Sequence, residues 1–97
     1  MVVGICRIKL RLSDNHSLKG KRKVVKSLMG QVNSRFKVAV SEVALHDVWQ
    51  EAAIGISAVG NDQSVINSVL DKVIDFVERT CPAEITQSDI EIIHLGE

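Results

Sequence analysis

The spacing of apolar residues changes from two to between three and four after the first dozen positions of this chain. From Val2 to Leu12 apolar residues alternate, which is typical of a β-strand with one buried face. From Leu18 onward they recur at helical spacing and predict a helix that runs to about Ser34, with residues 13–16 as the turn between. The apolar stripe of this helix comprises Leu18, Val25, Met29, Val32 and Phe36, with Leu28 at its edge.

Four further elements follow from the same kinds of pattern. Small and β-branched residues predict a second strand at Val38–Leu45 and a third at Ala52–Val59. A second helix begins after Asp62 and is stopped by residues 80–82, which end in proline, and a last strand runs from Ile85 to His94 or Leu95. The apolar stripe of the second helix comprises Val65, Ile66, Val69, Leu70, Val73 and Val77.

The order strand-helix-strand-strand-helix-strand predicts a ferredoxin-like α+β fold. Its antiparallel sheet has the strand order 4-1-3-2, and both helices lie on one face. Ninety-seven residues suffice for one such domain, residues 1–97. In this arrangement residues 14–22, 46–49 and 81–85 share one rim of the sheet. At this rim the start of the first helix lies near three candidate contact residues, His16, His46 and Trp49.

Five cations lie in the first turns of the predicted first helix, after the capping residue Ser17. They are Lys19, Lys21, Arg22, Lys23 and Lys26. The helix macrodipole places about half a positive charge at this end, so each cation opposes helix formation by up to roughly 1 kcal/mol. Cations and free backbone N–H groups at a helix start are suited to binding an anion. Lys21 falls within the apolar stripe, and we expect its ammonium group to reach past the end of the sheet.

Charge is divided unevenly in a chain whose formal net charge is zero. Residues 1–37 contain ten Lys or Arg and one acid, a net +9, whereas residues 38–97 contain two cations and eleven acids, a net −9. This asymmetry predicts a basic face for a polyanion or a pole for self-association. A second explanation carries equal weight, namely that the two helices bear solvated charges of opposite sign.

RNA binding is the first hypothesis about function. The five helix cations would contact phosphates, extended by the first-strand cations Arg7, Lys9 and Arg11. The chain has no Tyr and no aromatic residue in its first or third strand. Its sheet therefore cannot stack bases as an RNA-recognition motif does.

The second hypothesis is a regulatory module that binds a small phosphorylated or carboxylated molecule at the rim. Ser17 and backbone N–H groups would contact the anion, Lys21 and Arg22 would neutralise it, and Trp49 would cover it. The third hypothesis is a homodimer. It would form through the Val38–Leu45 edge, where only one acid discourages pairing, or through the open sheet face.

No enzyme, cofactor or metal site is expected. The three histidines lack ligand spacing, no CxxC pair occurs, and nothing identifies a nucleophile or general base. Cys6 is expected to be a small buried hydrophobe. Apolar stretches too short to span a bilayer and the lack of a secretory segment predict a cytoplasmic protein with reduced thiols.

Several of these residues together resemble the bacterial YlxP-like family, small proteins of unassigned function. They are Ser17-Leu18-Lys19-Gly20-Lys21-Arg22, Arg35-Phe36, Ser41-Glu42 and Trp49-Gln50. The similarity runs over nearly the whole chain and implies a ferredoxin-like fold. Members are often encoded beside translation-initiation and ribosome-maturation factors, which implies rRNA or the ribosome as partner. The family supplies no established catalytic or ligand residues.

Overall fold

The fold is described by a computed structural model that covers residues 1–96. The elements are β1 (Val2–Arg11), α1 (Leu18–Arg35), β2 (Ala39–Ala44), β3 (Glu51–Gly60), α2 (Gln63–Thr80) and β4 (Glu84–His94). All four strands form one antiparallel sheet in the order β2-β3-β1-β4. The predicted α+β class, element order and strand order are confirmed, and the predicted strand ends differ from the observed ones by one residue.

Both helices begin after a side chain that caps their free N–H groups. Ser17 has an extended backbone, and its Oγ accepts a hydrogen bond from the N–H of Gly20 at 2.9 Å. Asp62 accepts from the N–H groups of Ser64 and Val65 at 2.9 and 3.4 Å. The Ser64 hydroxyl, followed by these two N–H groups, holds the pKa of the Asp62 carboxyl below its ordinary value.

The hydrophobic core lies between the helices and one face of the sheet. Every second residue of β1 from Val2 to Leu10 is buried, and so are the β3 residues that pair with them from Ala52 to Ala58. The predicted buried face of the first strand is thereby confirmed. The alternate residues of the four strands form the opposite side, hereafter the outer face, which neither helix covers.

The buried stripe of α1 is rotated toward Leu28 relative to the predicted stripe. Its buried residues are Lys21, Val25, Leu28 and Val32. Leu28, expected at the edge, is central, and Met29 is only partly buried. Lys21, seven residues before Leu28, lies in the same buried stripe. In α2, Val65 is exposed although we expected it in the apolar stripe.

Gly4 lies where α2 packs closely against β1. A Cβ atom at this position would lie 2.8 Å from Cδ1 of Leu70 and closer still to Cγ2 of Ile66. Any larger residue must therefore displace the side chains of Ile66 and Leu70. Gly30 on α1 offers the opposite case, since a Cβ atom there would meet nothing within 4 Å.

We predict opposite effects of alanine at these two glycines. Gly4→Ala should lower the free energy of unfolding by about 1–3 kcal/mol, because it overpacks the core. Gly30→Ala should raise it by about 0.5–1 kcal/mol, because alanine loses less backbone entropy in a helix. Urea unfolding of both variants checks this, and a Gly4→Ala protein as stable as Gly30→Ala would contradict the packing described.

Candidate functional site

Three connections of the chain meet at one rim of the sheet, as predicted. The side-chain amide of Asn15 donates hydrogen bonds to the backbone oxygens of Ser17 and Trp49, which ties the turn before α1 to the β2–β3 loop. Glu84 at the start of β4 pairs with Arg11 at the end of β1. Sequence reasoning placed the rim correctly but gave no role to Asn15.

Lys21 is fully buried at this rim, with none of its surface exposed. Its ammonium group donates hydrogen bonds to the carbonyl oxygens of Leu45 at 2.7 Å and His46 at 3.0 Å, and to Oε2 of Glu42 at 3.1 Å. An ammonium group has three donors, and all three are used within the chain. The expectation that this group reaches an outside anion is therefore wrong.

Ser17 and Gly20 also serve the local fold. The Ser17 hydroxyl accepts the hydrogen bond from Gly20, and a Cβ atom at Gly20 would overlap the side-chain amide of Asn15. The glycine in this motif thus leaves room for the amide that joins the two loops. Of the residues expected to hold a small anion, Ser17 and Lys21 are occupied by the chain's own groups and Arg22 remains exposed.

The aromatic residues of the rim lie at its surface. Trp49 is 42% exposed and is tilted against His16, with the ring centroids 6.4 Å apart. His46 Nε2 lies 3.1 Å from the carbonyl oxygen of Glu42. The described part of the chain has a groove of about 840 Å³ on the outer face and one of about 240 Å³ between α1 and residues 80–82. Neither groove is lined by His16, His46 or Trp49.

The other four cations in the first turns of α1 form an exposed row along the helix. Lys19, Arg22, Lys23 and Lys26 stand at positions i, i+3, i+4 and i+7, so they share one side of the helix. We call them the cation row. Arg22 Nη2 lies 3.9 Å from Oδ1 of Asp47, with both side chains exposed, and such a contact is weak. Among residues 1–96, the three lysines have no carboxylate oxygen within 4 Å.

The cations of β1 do not join this row. Arg7, Lys9 and Arg11 alternate with buried residues and lie on the outer face, whereas α1 packs on the other side of the sheet. Arg7 Nη2 forms an ion pair with Oδ2 of Asp89 at 3.2 Å. The predicted basic surface is therefore divided between two sides of the molecule.

The described residues show few other chemical groups. Within residues 1–96 no three His, Cys, Asp or Glu side chains are placed to hold a metal ion. Burial, followed by Asp89 and Asp71, raises the pKa of the Cys6 thiol to about 11, and burial raises that of Cys81. Both thiols are therefore protonated at neutral pH and poor nucleophiles. Neither helix in this range is apolar and long enough to cross a membrane.

Removing the Lys21 ammonium should destabilise the fold strongly. Lys21→Met leaves Glu42 and two carbonyl oxygens without their donor, so the free energy of unfolding should fall by about 3–5 kcal/mol. Lys23→Met, an equal change on the exposed side of α1, should alter it by less than about 0.5 kcal/mol. Chemical unfolding of both variants tests the difference. Equal stabilities would show that the ammonium is not held as described.

Comparison with known proteins identifies the family of the chain and a structure of similar fold. Residues 3–90 match the family model of a protein of unknown function (DUF503). The uncharacterized protein YlxP of Bacillus subtilis (strain 168) is 31% identical over 77 residues, which make up 79% of this chain and 84% of that protein.

A solved structure of similar fold is the de novo designed protein Foldit4. It has a TM-score of 0.51 and 14% sequence identity, and the match covers 98% of each chain. At this identity the likeness concerns the fold alone. The family match over residues 3–90 and the YlxP relative show that the chain belongs to the DUF503 family of proteins of unknown function.

Proposed function

We propose that the protein is a non-enzymatic RNA-binding protein that contacts the phosphate backbone through the cation row. The observation that carries this proposal is the row itself. It presents four exposed cations on one side of α1, and three of them lack a carboxylate partner among residues 1–96. The helix from Leu18 to Arg35 contains no acid.

The cation row opposes folding and would be relieved by an outside polyanion. Like charges at i and i+4, such as Lys19 with Lys23 and Arg22 with Lys26, destabilise a helix by a few tenths of a kcal/mol per pair. The macrodipole adds a further unfavourable term at this end. Seven residues of helix span about 10 Å, a length over which a nucleic-acid strand presents two or three phosphates.

A polyanion suits this surface better than a small anion does. A small phosphorylated molecule needs converging groups in a pocket. The groups expected to converge at the helix start, the Ser17 hydroxyl and the Lys21 ammonium, are bonded within the chain. The cation row is an extended convex surface, which supports contacts to several phosphates instead.

The recognition would depend on the RNA backbone and not on bases. The outer face of the sheet carries no aromatic side chain on β1 or β3, so it offers no platform for base stacking. Binding should then be nearly independent of sequence and strongly dependent on salt. Ribosomal RNA in the cytoplasm, the setting implied by the family resemblance, is the first target to test.

A salt series with a defined RNA tests the proposal. The probe is a 20-nucleotide single strand from 16S rRNA, and affinity is measured by fluorescence anisotropy from 50 to 300 mM KCl. Lys19→Ala/Lys26→Ala removes two phosphate contacts. The slope of log K against log salt should become less negative by about 1.4, and RNA binding should weaken by about 25-fold at 0.1 M salt.

The matched control removes the same charge elsewhere. Lys37→Ala/Lys72→Ala lies outside the row, and both lysines are exposed. This variant should keep the wild-type slope to within a few tenths, because net charge acts only through long-range attraction. Undetectable RNA binding by the wild type at 50 mM KCl, or equal losses in the two double variants, would refute the proposed role of the row.

A further inference from the structure

The outer face of the sheet is an unpartnered surface with exposed apolar side chains. Val59, Ile93 and Ile5 lie on it, and Val59 is 65% exposed. A groove of about 840 Å³ crosses the face and is lined in part by Gly55 and Ser57. Because the helices cover only the other side, this face must meet either water or a partner.

The two halves of the outer face differ in side-chain size. Large residues of β1 stand beside small residues of β3 at three successive positions of the register. The pairs are Ile5 with Ser57, Arg7 with Gly55, and Lys9 with Ala53. The β4 half continues the large side with Asp89 and Glu91. The β2 half carries the small residues Ala39 and Ser41 and one larger residue, Val43, which is 50% exposed and stands beside Gly55.

The two ends of the outer face differ in polarity. One end carries a row of apolar residues across three strands, and the other end carries charges at the corresponding positions. The apolar row is Val59, Val3 and Ile93, and the charged row is Glu51, Arg11 and Glu84.

We propose that a second copy of this chain packs on the outer face, related by a two-fold axis that runs parallel to the strands between β1 and β3. This axis places β1 of one copy over β3 of the other and β4 over β2. The β1 side chains of each copy then enter the groove over Gly55 and Ser57 of the partner, beside Val43. This rotation leaves positions along the strand direction unchanged. The apolar row of one copy therefore meets the apolar row of the other.

The other in-plane axis, perpendicular to the strands, is unfavourable. It would place β1 over β1 and bring Arg7 against Arg7 of the second copy. It would also set the apolar row over the charged row. The large β1 side chains would then meet each other and the small β3 side chains would face a gap, so size and polarity favour the axis parallel to the strands.

The ion pair of Arg7 with Asp89 is compatible with this packing. Arg7 already forms its ion pair with Asp89, so the pair enters the interface with its charges matched. In the proposed arrangement Asp89 lies over the Ser41 of the second copy, whose hydroxyl makes only a long 3.4 Å contact within its own chain. That hydroxyl is free to donate to the carboxylate.

The area is sufficient for a modest dimer. Four strands about 4.8 Å apart, with residues rising about 3.4 Å each, present roughly 600 Å² per copy. The two copies together would bury about 1,200 Å², which is the lower limit for specific interfaces. The dimer should therefore depend on concentration in the micromolar range.

The β2 edge is a poorer place for a partner. The strand has six residues, and its register with β3 shifts between Glu42 and Ala44. Such an irregularity bends an edge away from further pairing. The carboxylate of Glu42 is paired with Lys21, a cation of the rim, so it does not project from the edge of β2.

Sedimentation equilibrium of the full chain from 5 to 500 μM tests the proposal. The wild type should shift from 10.7 kDa toward twice that mass as its concentration rises. Ser57→Lys and Ile5→Glu place charges at the centre of the outer face, and each should abolish the shift. Ser68→Lys and Val65→Glu make the same changes on the exposed side of α2 and should leave it intact.

Circular dichroism confirms that each variant is folded before its mass is interpreted. A wild type that stays at 10.7 kDa up to 500 μM would overturn the proposal. A dimer that persists in folded Ser57→Lys and Ile5→Glu would also overturn it.

Discussion

The buried ammonium group of Lys21 is the interaction that the rim of this protein depends on. It holds two consecutive carbonyl oxygens and the Glu42 carboxylate, and so fixes the β2–β3 loop against α1. Within that loop Leu45 has φ of 63°, a conformation that costs a residue other than glycine roughly 1–2 kcal/mol. The hydrogen bonds to Lys21 offset this cost and explain why a charged residue occupies a core position of the helix.

The motif at the helix start therefore serves two purposes. Its buried members organise the rim, since Ser17 caps the helix, Gly20 admits the Asn15 amide and Lys21 binds the loop. Its exposed members form the cation row, for which we propose RNA as the partner. The outer face lies on the other side of the sheet, so the proposed dimer would leave both cation rows free and allow two contacts with one RNA.

The alternation of apolar residues and their helical spacing were enough to predict the six elements, because these depend on local periodicity. The strand order then followed from the order of those elements, which is that of a ferredoxin-like fold. The place of Lys21 was not predictable in the same way, since its acceptors lie more than twenty residues away on another element. The buried stripe of α1 also lies nearer Leu28 than its spacing predicted. The separation of Arg7 from the helix cations, by contrast, follows from strand alternation alone, and the sequence already contained that signal.

Nitrogen-15 NMR of the lysine ammonium groups during titration with a short rRNA strand tests the division of the motif most directly. The account predicts that the Lys21 signal is protected from solvent exchange and does not shift, while the signals of Lys19, Lys23 and Lys26 move with added RNA. A Lys21 signal that exchanges rapidly and shifts with the RNA would contradict it. So would exposed lysines that remain unmoved at saturating RNA.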